Sequence, residues 1–423
     1  MGCGASTGHE GVNPLDVDRT PSARRRVERS LSCSVRGETA VRLEGYDVRG
    51  TLGYGAFARV LEARHLESGE DRAVKVIERG VLRRKKTMKR SGSGVTRVSS
   101  ALDKLDAEIL LQKEFSHSHI IRIFEVVEDP VQDRILLVME LARQGPVMAF
   151  DAHSRLFSCV VSGEAVESDR AARYVAELAS ALSYLHMRHV AHRDLKPDNI
   201  LLDTEDAVKL CDFGVSHTYG ESLGGRDRES LDYDRNVSGV DRTKRLKEIG
   251  RSGSTAQVNG TEGTYAYWAP EMMNEEGESF NAFACDCWAL GVCFYNFRTR
   301  RSPFESETLD GLFDRISRAD RDPCDLSAVE TTLLDGLLEA DPARRLTVGD
   351  LGEDPHLLKY ARHEERRTQF RTTPRDTLSK RGSLRGGFAG NTPPQNDGLS
   401  TPMSTGSALS ELATLQTENP TPA

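Results

Sequence analysis

Several short runs in this chain hold residue types that can act on a phosphoryl group. His192 to Asn199 reads HRDLKPDN. In it, Asp194 is a carboxylate able to accept, or at least orient, the proton of an attacking hydroxyl. Asn199 suits a Mg²⁺ ion, and Lys196 suits a charge-stabilising contact to the group in transfer. Cys211 to Gly214 reads CDFG, where Asp212 is a second Mg²⁺ ligand and Phe213 a packing residue beside it. Lys75, in AVKVI, is a cation for nucleotide phosphates, and Glu108 downstream is the carboxylate that would hold it. The run TLGYGAFARV at Thr51 to Val60 supplies Gly53 and Gly55 for a tight strand turn whose backbone can close over phosphates. A Gly-rich turn, an AVK or a DFG alone has an ordinary reading as turn, half-exposed strand or loop. Their order in one chain removes that reading. Phosphoryl transfer asks for little covalent chemistry from a protein, so positioning and charge neutralisation must do most of the work.

These groups need elements to hold them. Alternation of apolar residues at Tyr46, Val48, Leu52, Val60 and Leu61, then Ala73, Val74, Val76 and Ile77, predicts short strands. Leu102, Leu105 and Ile109 have helical spacing, which puts Glu108 on a helix. The runs near Ile121 and Ile135 read as strands. From Asp169 to His186, an apolar stripe through Ala172, Val175, Ala179, Leu182 and Leu185 predicts a helix. Strands come first and helices after, so the fold class is α+β, with two unequal lobes rather than one βαβ sheet. The Arg83 to Ser100 stretch is basic and Ser/Gly-rich, and reads as a solvated loop, with a docking surface as the sharper reading. GTYAYWAPE at Gly263 to Glu271 closes the segment after CDFG. Arg345 is the expected buried partner of Glu271, and Asp286 the expected brace of the HRD loop.

Composition bounds the rest. A hydrophobic share of 38% in 423 residues supports a sizeable core, while 29% charged residues leaves room for unfolded segments. A net charge of −8 argues against nucleic acid as a general partner. No apolar run is long enough to cross a membrane and no signal peptide is visible, so an intracellular protein with reduced cysteines is expected. Cys285, Cys287 and Cys293 read as core residues, since no second pair stands at zinc spacing.

Together these motifs resemble the eukaryotic Ser/Thr protein kinase family over residues 46–358. The resemblance implies a bilobal kinase fold, with a small β-rich N-lobe at 46–142 and a larger helical C-lobe at 143–358. It implies ATP and Mg²⁺ as cofactors, and protein substrates. Met139 would be the gatekeeper, Glu140 and Leu141 the hinge, and Val60, Ala73 and Leu201 the adenine sandwich, with Leu52 in the phosphate loop. Ala58 stands in place of that loop's third glycine. The Lys196 and Thr264 pair matches the Ser/Thr class. A finer similarity, to the calcium/calmodulin-dependent protein kinase kinases, rests on His119 to Leu141, on QGPVM at Gln144 to Met148 and on DFGVS at Asp212 to Ser216. That family, which acts upstream of AMP-activated kinases, phosphorylates activation-loop threonines of other kinases.

Three features depart from that family. Residues 219–259 form an extra insertion, polar, without an apolar face, and expected to be disordered. Gln112 replaces an apolar residue of the regulatory spine. The stretch holding Leu357, Leu358, Tyr360 and Phe370 has too thin an apolar face for a calmodulin helix, so calmodulin is a doubtful partner. Residues 1–45 and 359–423 also read as disordered. The opening MGCGAS fits myristoylation of Gly2 and palmitoylation of Cys3, with Arg24, Arg25 and Arg26 adding attraction to anionic lipid. Tethering to the cytoplasmic face of a membrane is the expectation that follows. Thr261 is the candidate activation phosphosite, placed to pair with Arg193.

Overall fold

A computed structural model describes residues 25–26, 34–35, 38–39, 41, 43–54, 58–84, 86–90, 96–100, 105, 109–213, 217–218, 244, 246–248, 251, 257–258, 264–273 and 280–360. The chain divides into two compact units, each discontinuous in sequence: Met1–Ala101 with Ile123–Met139, and Leu102–Arg122 with Glu140–Ala423. One is a sheet and the other mainly helical, which is the expected α+β, two-lobed architecture.

The first unit is built on a six-stranded sheet. Its strands are β1 (Arg25–Arg26), β2 (Tyr46–Tyr54), β3 (Ala58–His65), β4 (Asp71–Glu78), β5 (Ile123–Asp129) and β6 (Arg134–Glu140), in the order β1-β5-β6-β4-β3-β2. β5–β6, β4–β3 and β3–β2 pair antiparallel, and β1 runs parallel to β5. One face buries Leu43, Tyr46, Leu61, Ala63, Val74, Val76, Val127, Leu136 and Val138. Leu43 in that core and the β1 pairing correct the reading of residues 1–45 as wholly disordered.

The basic stretch is also corrected. Lys86–Arg90 and Thr96–Ser100 pair antiparallel, with Met88 opposite Val98 and Lys89 opposite Arg97. The missed signal is two runs containing Thr, Met and Val, flanking the Ser/Gly cluster at residues 91–94. Charge had masked it.

In the second unit, helix α1 (Ser168–Met187) presents the predicted apolar stripe. Helix α2 (Ala282–Thr299) is buried on all sides from Ala282 to Phe297, so it is the central element. Asn281 caps its N-terminus, accepting from the amides of Phe283 and Ala284. Trp288 is fully buried on α2 and stacks on Phe304, ring centroids 5.5 Å apart. Helices α3 (Leu309–Ser317) and α4 (Ala328–Leu337) also belong to this unit. A Cβ on Gly291 of α2 would lie 2.8 Å from Leu337 Cβ of α4, so only glycine permits that approach. The three cysteines of α2 lie in this core.

Part of the 219–259 insertion belongs to this unit. Leu246 is 5% exposed within its core. Lys247 Nζ lies 3.3 Å from Asp350, and it also donates to Glu353. Arg251 donates to Asp350 at 3.1 Å. The expectation of a stretch with no apolar face therefore fails here: one leucine, flanked by cations that meet an acidic surface, suffices to dock it.

Candidate active site

The run HRDLKPDN lies after α1. Asp286 of α2 accepts from the backbone amides of His192 at 2.9 Å and Arg193 at 2.8 Å, and from His186 Nε2 at 2.9 Å. This is the predicted brace of the loop. Burial works to raise the Asp286 carboxyl, but the hydrogen bond and charge of His186, the charge of His192 and the Arg193 amide hold it below its ordinary value. The loop needs such a brace because Arg193 has φ +69°, a left-handed conformation that side chains disfavour.

His192 is fully buried and works as a spacer. Its Nδ1 accepts from the Asp194 amide at 3.2 Å, and its Nε2 meets the Cys211 carbonyl at 3.1 Å. The ring thus bridges the Asp194 amide and the Cys211 carbonyl and spaces the two segments.

Asp194 Oδ2 lies 2.8 Å from Lys196 Nζ and accepts from Asn199 Nδ2 at 2.9 Å. Asn199 Nδ2 also donates to the Asp194 carbonyl at 2.7 Å. Lys196 Nζ reaches Thr264 Oγ1 at 3.1 Å, tying HRDLKPDN to the closing motif. Burial pushes the neighbouring Asp198 carboxyl up.

From Asn199 the chain enters a hairpin, β8 (Ile200–Leu202) and β9 (Val208–Leu210), which leads through Cys211 to Asp212. The short strand β7 (Gly145–Pro146) extends it on the β8 side, with Pro146 opposite Leu201 and Gly145 opposite Leu202. Gly145 has φ +75°, so the QGPVM segment requires its glycine. Val147 and Met148 are buried. Asp212 is exposed and left-handed, at φ +61°, while Phe213 is buried against His192, centroids 5.1 Å apart.

A magnesium ion fits these residues. The amide nitrogen of Asn199 donates to Asp194, so its oxygen is the atom that could meet an ion. Among the described residues no cluster of three or more His, Cys, Asp or Glu could hold a metal unaided. Mg²⁺ bound with a nucleotide needs none, because phosphates and water complete its shell.

The other expected nucleotide residues distribute as follows. In the first unit, Leu52 is exposed on β2, Gly53 lies opposite Val60, Val60 opposite Lys75, and Ala73 is buried. Met139 sits at a register shift on β6, opposite Ile123. In the second unit, Glu140 Oε1 takes a 2.5 Å contact from the buried Lys209 Nζ, an ion pair the sequence reading missed. Leu141 and Leu201 are half-buried. Gly55, Glu108, Thr261, Gly2 and Cys3 lie outside the described residues.

Glu271 and Arg345 form the predicted pair, bidentate at 2.6 and 2.8 Å, with Arg345 1% exposed. Arg345 also donates to the carbonyls of Ala284, Glu339 and Ala340. The closing motif is thereby fixed to α2 and to the segment after α4.

Comparison with known proteins agrees with this geometry. Residues 46–357 match the model of the protein kinase domain, and the chain belongs to that family. It is 28% identical over 318 residues to the maternal embryonic leucine zipper kinase of Xenopus tropicalis, covering 75% of this chain and 40% of that protein. The Xenopus laevis protein of the same name is 28% identical over 317 residues, with the same coverage. CBL-interacting protein kinase 16 of Oryza sativa subsp. japonica is 30% identical over 315 residues, covering 74% of this chain and 57% of that protein. The chain thus spans about half the length of these relatives or less.

Proposed function

We propose that the protein is an ATP-dependent Ser/Thr kinase that moves the γ-phosphoryl of ATP to protein hydroxyls. The observation that carries this is the contact set around Asp194, with Asn199 at 2.9 Å, Lys196 at 2.8 Å and Lys196 in turn on Thr264. Asp194 orients the substrate hydroxyl and accepts its proton. Lys196 neutralises charge as the phosphoryl moves. Asn199 and Asp212 hold Mg²⁺, which supplies electrostatic stabilisation of the phosphates when bound. In this reading Lys75 would hold the α- and β-phosphates with Glu108 as its expected carboxylate, and Val60, Ala73 and Leu201 would flank the adenine.

The finer reading is an upstream kinase, acting on activation-loop threonines of other kinases, in the manner of the calcium/calmodulin-dependent protein kinase kinases. The support is the likeness of QGPVM at Gln144 to Met148, and of His119 to Leu141, to that family. Calmodulin control is not part of this reading. Acylation at Gly2 and Cys3 would tether the kinase to a membrane, and a phosphate on Thr261 would order the segment before Thr264. The kinase domain of this reading spans 46–358; its expected lobe bounds, 46–142 and 143–358, differ from the division of the chain, which falls between Met139 and Glu140 and assigns Leu102–Arg122 to the second unit.

The test is transfer of labelled γ-phosphate by purified protein with Mg²⁺-ATP. Substrates are a generic basic protein and a catalytically dead AMP-activated-type kinase domain, with Asp194→Asn as the blank. Phosphate on the activation-loop threonine, absent in the blank, is the expected result. Transfer to the generic protein alone would sink the upstream reading and keep the kinase. No transfer at all, with ATP still bound, would sink the catalytic reading. For the tether, Gly2→Ala is expected to move the protein from the membrane to the soluble fraction of cells.

A further inference from the structure

Asn199 and Asp212, the two residues assigned to Mg²⁺, stand at the same end of one hairpin. Asn199 leads into β8 and Asp212 follows β9, and the Cys211 amide donates to the Asn199 carbonyl at 2.9 Å between them. At the opposite end lies the turn Asp203 to Ala207. Asp203 closes it locally, accepting from the amides of Glu205 at 2.8 Å and Ala207 at 3.0 Å. Asp206 has φ +64°, a conformation glycine adopts freely and aspartate tolerates in turns. Neither turn geometry nor packing calls for a carboxylate there.

What the carboxylate does is visible in its partners, all on the first turns of α1. Arg170 donates to it through Nε at 2.8 Å and through Nη2. Arg173 Nη2 donates at 2.5 Å and Tyr174 OH at 2.7 Å. Arg173 Nη1 also reaches the Asp206 carbonyl at 2.7 Å. One turn further along α1, Glu177 accepts from the Val208 amide at 2.9 Å and from Arg173 Nη1 at 3.0 Å. The far end of the hairpin is therefore clamped to α1, whereas the loop that carries Asp194 is braced by Asp286 of α2. Two separate supports fix two parts of one site. α1 and α2 pack on each other in a shared core, so the frame between the supports is stiff.

We propose that Asp206 is a positioning residue: by clamping the β8–β9 turn to Arg170, Arg173 and Tyr174 it sets where Asn199 and Asp212 stand relative to Asp194, and so sets the affinity for Mg²⁺ with nucleotide. The inference rests on the assignment of Asn199 and Asp212 to the ion. Outer partners that orient metal residues commonly change metal affinity by about 10- to 100-fold when removed.

The test compares wild type, Asp206→Gly, Asp206→Asn and Tyr174→Phe in the full chain. Glycine adopts this backbone freely and removes the acceptor. Asparagine keeps an acceptor oxygen. Phenylalanine keeps the packing and removes one donor. Mg²⁺ is titrated with a non-hydrolysable ATP analogue, reading the thermal shift, and kinase activity is read in parallel. Asp206→Gly is expected to raise the half-saturating Mg²⁺ concentration about tenfold or more, raising KM for nucleotide while leaving KM for the protein substrate unchanged. Asp206→Asn should stay near wild type and Tyr174→Phe should fall between. A lowered melting temperature in Asp206→Gly with an unchanged Mg²⁺ midpoint would overturn the proposal, leaving a purely structural clamp. If wild type shows no Mg²⁺-dependent shift, the ion assignment itself fails, and the proposal with it.

Discussion

Phe213 packs edge-on against Phe115, ring centroids 5.2 Å apart. Phe115 also meets Tyr184 of α1 edge-on, so the residue after Asp212 is held in the second unit by a chain of aromatic contacts. Gln112 stands where the family resemblance leads one to expect an apolar residue. Gln112 is 6% exposed, and Phe115, one helical turn on, supplies the apolar contact to Phe213. Truncation by Phe115→Ala is expected to cost about 3–5 kcal/mol, read by urea unfolding, and to reduce transfer activity as Phe213 loses its seat. By contrast, Gln112→Leu should raise the melting temperature, because it removes a buried amide. A fall in melting temperature would show that the amide is well partnered inside.

Arg345→Met should be severe. It leaves the Glu271 carboxylate, only 8% exposed, without its guanidinium, a change worth about 3–5 kcal/mol in buried pairs. The double variant Arg345→Met with Glu271→Leu should recover most of the loss, since no charge then remains buried. The Arg318–Asp314 pair offers the control. Its side chains are 72% and 55% exposed, and Arg318→Ala should change stability by less than about 0.5 kcal/mol.

Acid sensitivity has a defined origin at the start of α4. Burial works to raise the Glu330 carboxyl, but hydrogen bonds from the Ser327 hydroxyl and amide and from Arg298 hold it at about 2, against an ordinary value of 4.5. A carboxyl depressed on folding contributes stability that is complete above the unfolded value and is lost as pH falls through the folded one. The contribution should therefore be full above pH 4.5 and fade between about pH 4.5 and 2. Glu330→Gln is expected to flatten this part of the stability profile, with urea midpoints at pH 7 and pH 3 as the readout. An unchanged slope would assign the acid limb to other groups.

The docked end of the insertion should depend on Leu246 more than on its flanking charges. Exposed ion pairs such as Lys247–Glu353 contribute at most about 1 kcal/mol. Leu246→Ala is expected to accelerate hydrogen exchange at Leu246 to Glu248 strongly, and Lys247→Ala weakly. The reverse order would make the docking electrostatic.

Legibility followed the chemistry. Asp194, Lys196, Asn199 and Asp212 could be read because phosphoryl transfer restricts both residue type and spacing, and the Glu271–Arg345 pair because a buried carboxylate demands a partner. Strands and α1 could be read from periods of two and 3.6. Features that depend on contact between distant segments could not. Asp206 looks like any turn aspartate until Arg170, Arg173 and Tyr174 are placed beside it. The Lys209–Glu140 pair joins residues whose sequence surroundings give no hint of each other. The basic hairpin and Leu246 were obscured for a different reason: charge and small residues dominate those windows, and the few apolar or β-forming residues that decide their structure carry little weight in an average.

The cysteines of α2 amount to a native-state clock. Burial drives the thiols of Cys285 and Cys293 well above their ordinary value and that of Cys287 to about 12, so none presents a thiolate to solvent while α2 stays packed. Cys211 and Cys324 are partly exposed. Alkylation of the described cysteines therefore divides into two populations, and the slow one, which the buried Cys159 joins, advances only when the second unit opens. The same three side chains that form its centre thus time its excursions from the native state, with no reporter added.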